Sequence, residues 1–303
     1  MFATIDLGTN TALLLIGKVI AGKIHVVADF AELPRIGEGL GNSSIITPQA
    51  LQRTINVLKT YRQFCEQHHV TQVAAITTAA VRKAENRTEV LSRIKDETGF
   101  AFEMISGEEE AYLCYLSTAH DFGHTSLVID IGGGSTEFMT MQKTLIAKSI
   151  PFGTVVLNER FLQNAPPSTK AIIDLQKHLL SQLQFHIDLK VYQPENRTLI
   201  ATAGTPTSLA AVHLQLQEYD HHKVHSLKLS LQTIQELNRR LSKMTLAELK
   251  HVSGLHPKRA DVIVAGGIIL ETAMQYLGYD EVTVSDHGLR YGVFIDRFMK
   301  VSA

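Results

Sequence analysis

The chain has 303 residues, of which 45% are hydrophobic and 19% are charged, and its formal net charge is −1. This length predicts about two domains with sizeable cores, and the balanced charge argues against a general nucleic-acid binder. No apolar stretch is long enough for a membrane span, and no basic region opens a secretory signal. Two cysteines, Cys65 and Cys114, suit a reducing compartment without a disulfide. We therefore expect a cytoplasmic protein.

The first part of the chain predicts strands, followed by alternating helices and strands. Three strands open it, at 2–7, 12–20 and 23–32, before a loop that is rich in glycine. Thr47 and Pro48 are typical of a helix N-cap and first helical position. After that helix, the predicted elements are a strand at 72–76, helices at 78–84 and 87–98, a strand at 101–105 and a helix at 107–119.

The second part repeats this plan, beginning with three strands at 125–131, 135–141 and 144–150. The elements predicted after them are helices at 154–163 and 168–187, a strand at 197–201, a helix after residue 207, helices at 230–241, 245–250 and 257–277, a strand at 281–284 and a helix at 288–299. This order indicates an α/β fold with mixed sheets. The domain boundary is expected within 119–125.

One motif occurs in both parts of the chain. An apolar run is followed by Asp-apolar-Gly and small polar residues, in IDLGTNT near the start and in IDIGGGST later. Three positions align, Asp6 with Asp130, Gly8 with Gly132 and Thr11 with Ser135, at an offset of 124 residues (130 − 6). Glycine lets successive backbone N–H groups approach an anion closely. The repeat therefore predicts two lobes that face each other across a phosphate-binding cleft.

The carboxylate before each glycine turn has a consequence for metal binding. Asp130 would repel phosphate unless a cation lay between them, so it implies Mg²⁺ or another hard divalent ion. Taken alone, the second motif is equally compatible with an ordinary glycine-rich hairpin. It is not a dinucleotide fingerprint, because Glu137 stands where the third glycine would be, and no P-loop sequence occurs.

Several other residues are candidates for the same site. Glu110 lies at a predicted helix start and could orient an attacking water, whereas the acids before it are explained by the helix dipole. Arg35 and Arg82 could bind phosphate through their planar guanidinium groups. The turn at Gly204 and Thr205, between a strand and a helix, repeats the anion-site pattern.

A cluster of histidines has a less definite interpretation. Four lie close in sequence, at positions 213, 221, 222 and 225. His221 and His225 have the i,i+4 spacing of a metal pair. Cysteine partners are absent and the nearby Glu218 and Asp220 form no recognisable ligand set, so we expect a solvated loop or helix end. For Arg259, Asp286 and Arg290, the sequence leaves open whether they line the cleft or have a structural role.

Taken together, the motifs resemble the exopolyphosphatase / guanosine pentaphosphate phosphohydrolase family. The matching segments run in family order over nearly the whole chain: IDLGTNTALLLI, PRIGEGL, TTAAVRKAEN, ISGEEEAYL, VIDIGGGSTEF, PFGTVVLNERF, ATAGTPTSLAA, HPKRADVIVAGG and SDHGLRYGVF. The resemblance implies two actin-like, ribonuclease H-like lobes of the sugar-kinase and Hsp70 ATPase architecture. It predicts lobes at 1–122 and 123–303, with the last helix against the first lobe.

The resemblance also implies roles for individual residues. Asp6 and Asp130 would hold Mg²⁺ at the scissile phosphate, with Glu137 supporting the metal or water network and Glu110 as the general base. Phosphates would be bound by the two turns, by three side chains along the polyanion and by the nucleotide-side motif: Gly8, Thr9, Asn10, Gly132, Gly133, Gly134, Ser135, Arg35, Arg82, Asn86, Gly204 and Thr205.

The predicted activity is hydrolysis of the terminal phosphoanhydride of inorganic polyphosphate. Alternatives are hydrolysis of guanosine pentaphosphate, a kinase of the same superfamily, and a non-catalytic regulator that binds (p)ppGpp. The expected partners are polyphosphate or guanosine pentaphosphate, with no nucleic acid or membrane. Whether the protein forms a homodimer is left open. Longer family members carry a further C-terminal helical domain that this chain ends without, so processive action on long polyphosphate is not expected from the sequence.

Overall fold

The structure is a computed structural model and describes residues 1–124, 126–192 and 197–299, with the backbone alone described at Gly41 and Asn42. It divides into two compact units. The first contains Met1–Ser117 and the C-terminal residues from Leu289, and the second contains Thr118–Gly288. The predicted boundary region and the strand predicted at 125–131 include Thr125, which lies outside the described residues.

The first unit contains a five-stranded mixed sheet in the order β3-β2-β1-β4-β5. Its strands are β1 Phe2–Leu7, β2 Ala12–Ile20, β3 Lys23–Glu32, β4 Gln72–Thr77 and β5 Phe102–Met104. β1 pairs antiparallel with β2 and parallel with β4, and β4 pairs parallel with β5. The carboxyl ends of β1, β4 and β5 therefore lie side by side, where ligands bind in open α/β sheets.

The helices of this unit cover the sheet. They are α1 Leu40–Ser43, α2 Pro48–Gln67, α3 Ala79–Lys83, α4 Arg87–Thr98, α5 Gly107–Phe122 and α14 Leu289–Phe294, with a π-helical turn at Ile295–Met299. The end of α5, from Thr118, belongs to the second unit. α2 begins as predicted, because the Thr47 side chain accepts a hydrogen bond from the Ala50 N–H. Its buried Tyr61 hydroxyl donates to the Ala12 carbonyl at 2.7 Å, which ties α2 to β2.

The C-terminal helix is part of this unit because it packs on β1. Thr4 Oγ1 donates to the Arg290 carbonyl at 2.9 Å. The Arg290 guanidinium binds Asp29 through both Nε and Nη2, each at 2.9 Å from a carboxylate oxygen. Arg290 therefore has a structural partner in β3.

The second unit contains a six-stranded mixed sheet in the order β10-β11-β9-β6-β7-β8. Its strands are β6 Ser126–Ile131, β7 Thr136–Met141, β8 Leu145–Ile150, β9 Thr198–Thr202, β10 Lys228–Ser230 and β11 Glu281–Val284. Its helices are α6 Thr154–Phe161, α7 Thr169–His186, α8 Leu189–Tyr192, α9 Gly204–His213, α10 His221–Val224, α11 Leu231–Leu241, α12 Leu246–Leu249 and α13 Ile263–Leu277.

Both units share one topology. The order β8-β7-β6-β9-β11 repeats β3-β2-β1-β4-β5, with antiparallel pairs on one side of the first strand and parallel pairs on the other. The predicted α/β class, with two actin-like, ribonuclease H-like lobes and mixed sheets, is confirmed.

A few elements differ from the prediction. The helix predicted at 257–277 is a 3₁₀ turn at Pro257–Arg259 followed by α13, because i→i+3 hydrogen bonds such as Ala260 N to the Pro257 carbonyl close a tighter turn. The short strand β10 and the four-residue helices α1, α8 and α10 were not predicted. Both cysteines are buried free thiols, as expected. Within the described residues, no helix combines the length and hydropathy that a membrane span requires.

Candidate active site

The first glycine turn joins β1 to β2. Leu7 and Ala12 are the last paired residues of the two strands, so the turn consists of the four residues from Gly8 to Thr11. It is closed by a hydrogen bond from the Gly8 N–H to the Thr11 carbonyl at 2.9 Å. Asp6, the penultimate residue of β1, is buried beside it.

The second turn repeats this geometry residue for residue. Ile131 and Thr136 are the last paired residues of β6 and β7. The Gly132 N–H donates to the Ser135 carbonyl at 3.0 Å. Asp130 is again the penultimate strand residue, and it is half-buried. The motif repeat seen in the sequence is therefore also a structural repeat.

In each unit, a later segment donates hydrogen bonds to the carbonyl groups of the turn. In the first unit, the Gly37 N–H donates to the Thr9 carbonyl at 2.9 Å and the Arg35 N–H to the Asn10 carbonyl at 3.1 Å. In the second, Thr154 N–H donates to the Gly132 carbonyl at 2.9 Å. The turn carbonyls are thus occupied on the protein side.

The turn amides have no such partners. Within the described residues, no hydrogen bond is formed by the N–H groups of Thr9 and Asn10 in the first turn, or of Gly133 and Gly134 in the second. Unpaired backbone donors are rare in folded proteins, and consecutive ones form an anion-binding nest. This arrangement of donors is typical of an anion-binding nest.

Two glycines that the sequence did not single out hold the supporting segments close to the turns. A Cβ at Gly153 would lie 2.4 Å from the Gly133 carbonyl carbon, and a Cβ at Gly37 would lie 2.4 Å from Thr9 Cγ2. Both glycines lie in segments that match the family resemblance, Gly153 in PFG and Gly37 in IGEG. Sequence inspection could find them only as glycines near a turn, because their partners are distant in the chain.

Glu110 lies in the first turn of α5 and is buried. Arg82 Nη1 donates to Glu110 Oε2 at 3.3 Å and to the Ile105 carbonyl at 2.8 Å. Arg82 follows β4 and Glu110 follows β5, so both lie at the sheet edge where β1 ends in Asp6 and the first turn. The predicted catalytic and phosphate-binding residues of this unit are therefore at one edge.

The second unit has the same arrangement. Asp130 lies beside Thr202 at the parallel ends of β6 and β9, and Gly204 follows directly. Glu137 in β7 is buried, and its carboxylate accepts a hydrogen bond from Ser149 Oγ at 2.6 Å. This neutral donor fixes the position of Glu137 without neutralising its charge.

The turn before α9 is strained and is contacted by a half-buried cation. Ala203 has φ 75° and ψ −169°, a region normally restricted to glycine. A Cβ at Gly204 would lie 1.3 Å from Arg259 Nη1, so the guanidinium packs directly on the Gly204 backbone. Burial lowers the pKa of Arg259, opposed by the charges of Tyr219 and Asp286. An arginine guanidinium keeps its proton in proteins, so Arg259 brings a positive charge to this turn.

Other predicted residues have structural contacts. The Asn86 amide binds both backbone groups of Ile46 at 3.0 Å, so phosphate binding by Asn86 would compete with these bonds. Gly266 and Gly267 allow close helix packing, because a Cβ at Gly266 would lie 2.3 Å from Thr205 Oγ1 and a Cβ at Gly267 would lie 1.9 Å from Asn238 Oδ1.

Comparisons with known proteins agree with this architecture. The sequence profile of the Ppx/GppA phosphatase family matches residues 15–301. The chain belongs to the Ppx/GppA phosphatase family. It is 31% identical over 308 residues to Exopolyphosphatase 2 of Mycobacterium tuberculosis, covering 96% of each protein. The membership confirms that the chain is related to phosphatases that act on phosphoanhydrides, as predicted.

Two further comparisons define the extent of the similarity. The chain is 32% identical over 312 residues to the "Bifunctional 3-dehydroquinate synthase/phosphatase" of Fusobacterium nucleatum; the match covers 97% of this chain but spans only 46% of that protein. The crystal structure of the Ppx/GppA family member from Aquifex aeolicus is similar with a TM-score of 0.83 and 29% identity, over 100% of this chain and 98% of that one.

Proposed function

We propose that the protein hydrolyses the terminal phosphoanhydride of inorganic polyphosphate and releases orthophosphate. The observation that carries this proposal is the pair of equivalent turns whose central amides donate to no acceptor in the part of the chain that the structure describes. A substrate made of linked phosphates supplies acceptors for both turns in one molecule. The name of the M. tuberculosis relative, an exopolyphosphatase, supports the same substrate class.

In this proposal, substrate binding depends on the turn amides and the cations near them. The amides of the two glycine turns donate to phosphoryl oxygens, and Arg35 and Arg82 add charge-assisted hydrogen bonds along the chain of phosphates. These donors are fixed before the substrate arrives, so no reorganisation is needed as charge develops in the transition state.

The proposed general base is Glu110. Its carboxylate orients a water molecule for in-line attack on the terminal phosphorus and accepts a proton as the new P–O bond forms. The bridging P–O bond breaks, and its electron pair leaves with the shortened chain. The hydrogen bond from Arg82 holds the Glu110 side chain in place.

The carboxylates at the turns fit a hard divalent ion. Asp6, Asp130 and Glu137 offer oxygen ligands, which Mg²⁺ prefers, and the Ser149 hydroxyl holds the Glu137 carboxylate in position. We propose that these residues hold Mg²⁺, which would neutralise phosphate charge when bound.

Hydrolysis of guanosine pentaphosphate to the tetraphosphate is a second candidate. It is favoured by Arg259, whose guanidinium packs on the Gly204 backbone at the start of α9. A guanidinium stacks on planar groups and binds phosphate, so this element suits a nucleotide better than a plain phosphate chain.

The test compares phosphate release by the wild type and by two variants. Glu110→Gln should lower kcat for polyphosphate by about 10²–10⁴-fold, because the amide cannot accept the proton. Glu108→Gln is the matched control, since Glu108 is an exposed acid in the same helical turn. Both variants should keep the wild-type circular dichroism and unfolding midpoint.

The same assay with guanosine pentaphosphate, and with Mg²⁺ replaced by EDTA, separates the alternatives. Higher kcat/KM on the nucleotide would replace the first substrate with the second. Transfer of phosphate from ATP to an acceptor, or nucleotide binding without any phosphate release, would contradict hydrolysis. Near-normal activity of Glu110→Gln would remove Glu110 from the role of base.

A further inference from the structure

Three ligand-type side chains meet in the second unit, outside the residues proposed for hydrolysis. Asp121 lies in the last turn of α5, His225 directly follows α10, and His287 lies between β11 and α14. One potential ligand atom of each residue lies within 4.8 Å of those of the other two. Asp121 and His287 are far apart in the sequence, so sequence inspection did not associate them.

The distances in this cluster are close to those of a coordination shell. Asp121 Oδ2 lies 2.8 Å from His287 Nδ1 and 4.0 Å from His225 Nε2. In a tetrahedral site with metal–ligand bonds of about 2.0–2.2 Å, neighbouring ligand atoms are separated by about 3.3–3.6 Å. The observed separations lie on either side of this value, so side-chain shifts of less than about 1 Å would complete the geometry.

The three side chains are held by further contacts. The His225 and His287 rings stack with centroids 4.1 Å apart, and the Phe122 ring lies 5.3 Å from His225. His120 Nδ1 lies 3.2 Å from Asp121 Oδ1, the oxygen that does not face His287. Ordered ligands of this kind bind a metal with less loss of side-chain entropy.

The cluster is accessible and has the required protonation states. The Asp121, His225 and His287 side chains are 16%, 21% and 23% exposed. Burial, and then the charge of His287, lower the pKa of His225 to about 4. Burial tends to raise the pKa of Asp121, but the hydrogen bond and charge of His287 lower it overall. At neutral pH, His225 is a neutral imidazole and Asp121 a carboxylate.

We infer that Asp121, His225 and His287 form a binding site for a divalent transition metal such as Zn²⁺ or Co²⁺. Two imidazoles and one carboxylate suit these ions, whereas Mg²⁺ prefers oxygen ligands. Coordination through His225 Nε2 moves the ring proton to Nδ1 and gives up the long 3.3 Å hydrogen bond from the Asp286 N–H. The coordination positions left over are open to water or to an oxygen of a small ligand.

The structural site differs from the local histidine pair considered from the sequence. That pair would use His221 together with His225, whereas the cluster uses His287 and excludes His221. Substitutions of His221 and His287 therefore distinguish the two sites directly, since both remove one imidazole near His225.

The experiment titrates Co²⁺ into the metal-free full-length chain and follows the visible absorption of the ion, with Zn²⁺ as competitor. The wild type should bind one Co²⁺ and release it to Zn²⁺, and excess Mg²⁺ should not displace it. His287→Gln and Asp121→Asn should each weaken binding at least about tenfold. His221→Gln and the exposed His213→Gln should bind like the wild type.

A folding control and a rescue variant complete the test. Unfolding midpoints in EDTA establish that each variant is folded. His287→Cys should bind Co²⁺ again and add a thiolate–cobalt charge-transfer band. Equal binding by His287→Gln and wild type, loss of binding in His221→Gln, or the absence of Co²⁺ binding by the wild type would each overturn the inference.

Discussion

We expect the Gly153→Ala substitution to displace the second glycine turn, between β6 and β7, while the second unit stays folded. Gly153 has φ −142° and ψ 177°, an extended conformation that alanine adopts readily, so the substitution acts through steric contact alone. The added Cβ would lie 2.4 Å from the Gly133 carbonyl carbon and 2.6 Å from the Gly134 nitrogen. Both are backbone atoms of the turn, so no side-chain rotation relieves the overlap.

The magnitude follows from this overlap. Ordinary contacts of a Cβ begin at 3.4 Å, so the turn must move by about 1.0 Å (3.4 − 2.4). Overpacking of this size costs about 1–3 kcal/mol of stability. A displacement of about 1 Å in a catalytic group can reduce turnover about 10²-fold. We therefore expect kcat/KM for polyphosphate to fall about 10²-fold, measured by orthophosphate release, while urea unfolding stays cooperative.

Gly22→Ala is the matched control. Gly22 has φ +71° and a Cβ there would meet nothing within 4 Å, so alanine strains the backbone without touching a neighbour. It should lower stability by about 1 kcal/mol and leave kcat/KM unchanged. If Gly153→Ala keeps kcat/KM within about twofold of the wild type, the turn does not position the substrate as proposed.

Three further predictions concern stability and reactivity. Arg290→Met removes the guanidinium from the partly buried Asp29, which keeps the Tyr291 hydroxyl as a donor, and should cost about 2–3 kcal/mol in urea unfolding. Lys170→Met, in an exposed i,i+4 ion pair with Asp174, should change stability by less than about 0.5 kcal/mol; equal effects would contradict the burial argument. Burial raises the pKa of the Cys65 thiol to about 11, so a thiol reagent at pH 8 should label it at least about 10²-fold faster in urea than in the native protein. Burial lowers the pKa of His225 to about 4. In the unfolded chain the pKa of this histidine is near 6.5, so between pH 6.5 and 4 the native state binds fewer protons than the unfolded state. The free energy of unfolding, measured in EDTA, should therefore fall by about 1–2 kcal/mol as the pH drops from 6.5 to 4. His225→Gln should remove this dependence, and an unchanged slope would refute it.

Much of the fold was predictable because the signals are local. The three opening strands have the predicted bounds, and Thr47 and Pro48 start α2 as expected. The helix predicted at 257–277 ends as predicted but begins at Ile263, because apolar periodicity does not report the 3₁₀ turn before α13. β10 was missed because a three-residue strand carries too little pattern to distinguish it from a loop.

The candidate site was predictable to a lesser extent. The repeated motif located both turns, and their geometry is the same in the two units. The contacts of Gly153 and Arg259 depend on residues distant in sequence, so no local pattern reveals them. The catalytic role of Glu110 and the binding of Mg²⁺ stay predictions, and so does the action of both turns on one substrate.

Hydrolysis in H₂¹⁸O tests the central claim most directly, because it reports which phosphorus atom water attacks. Attack at the terminal phosphorus of polyphosphate predicts one ¹⁸O in each orthophosphate released and none in the shortened chain. Two results would contradict the proposed reaction. One is orthophosphate without ¹⁸O together with label in the remaining chain, and the other is transfer of the phosphate to an acceptor other than water.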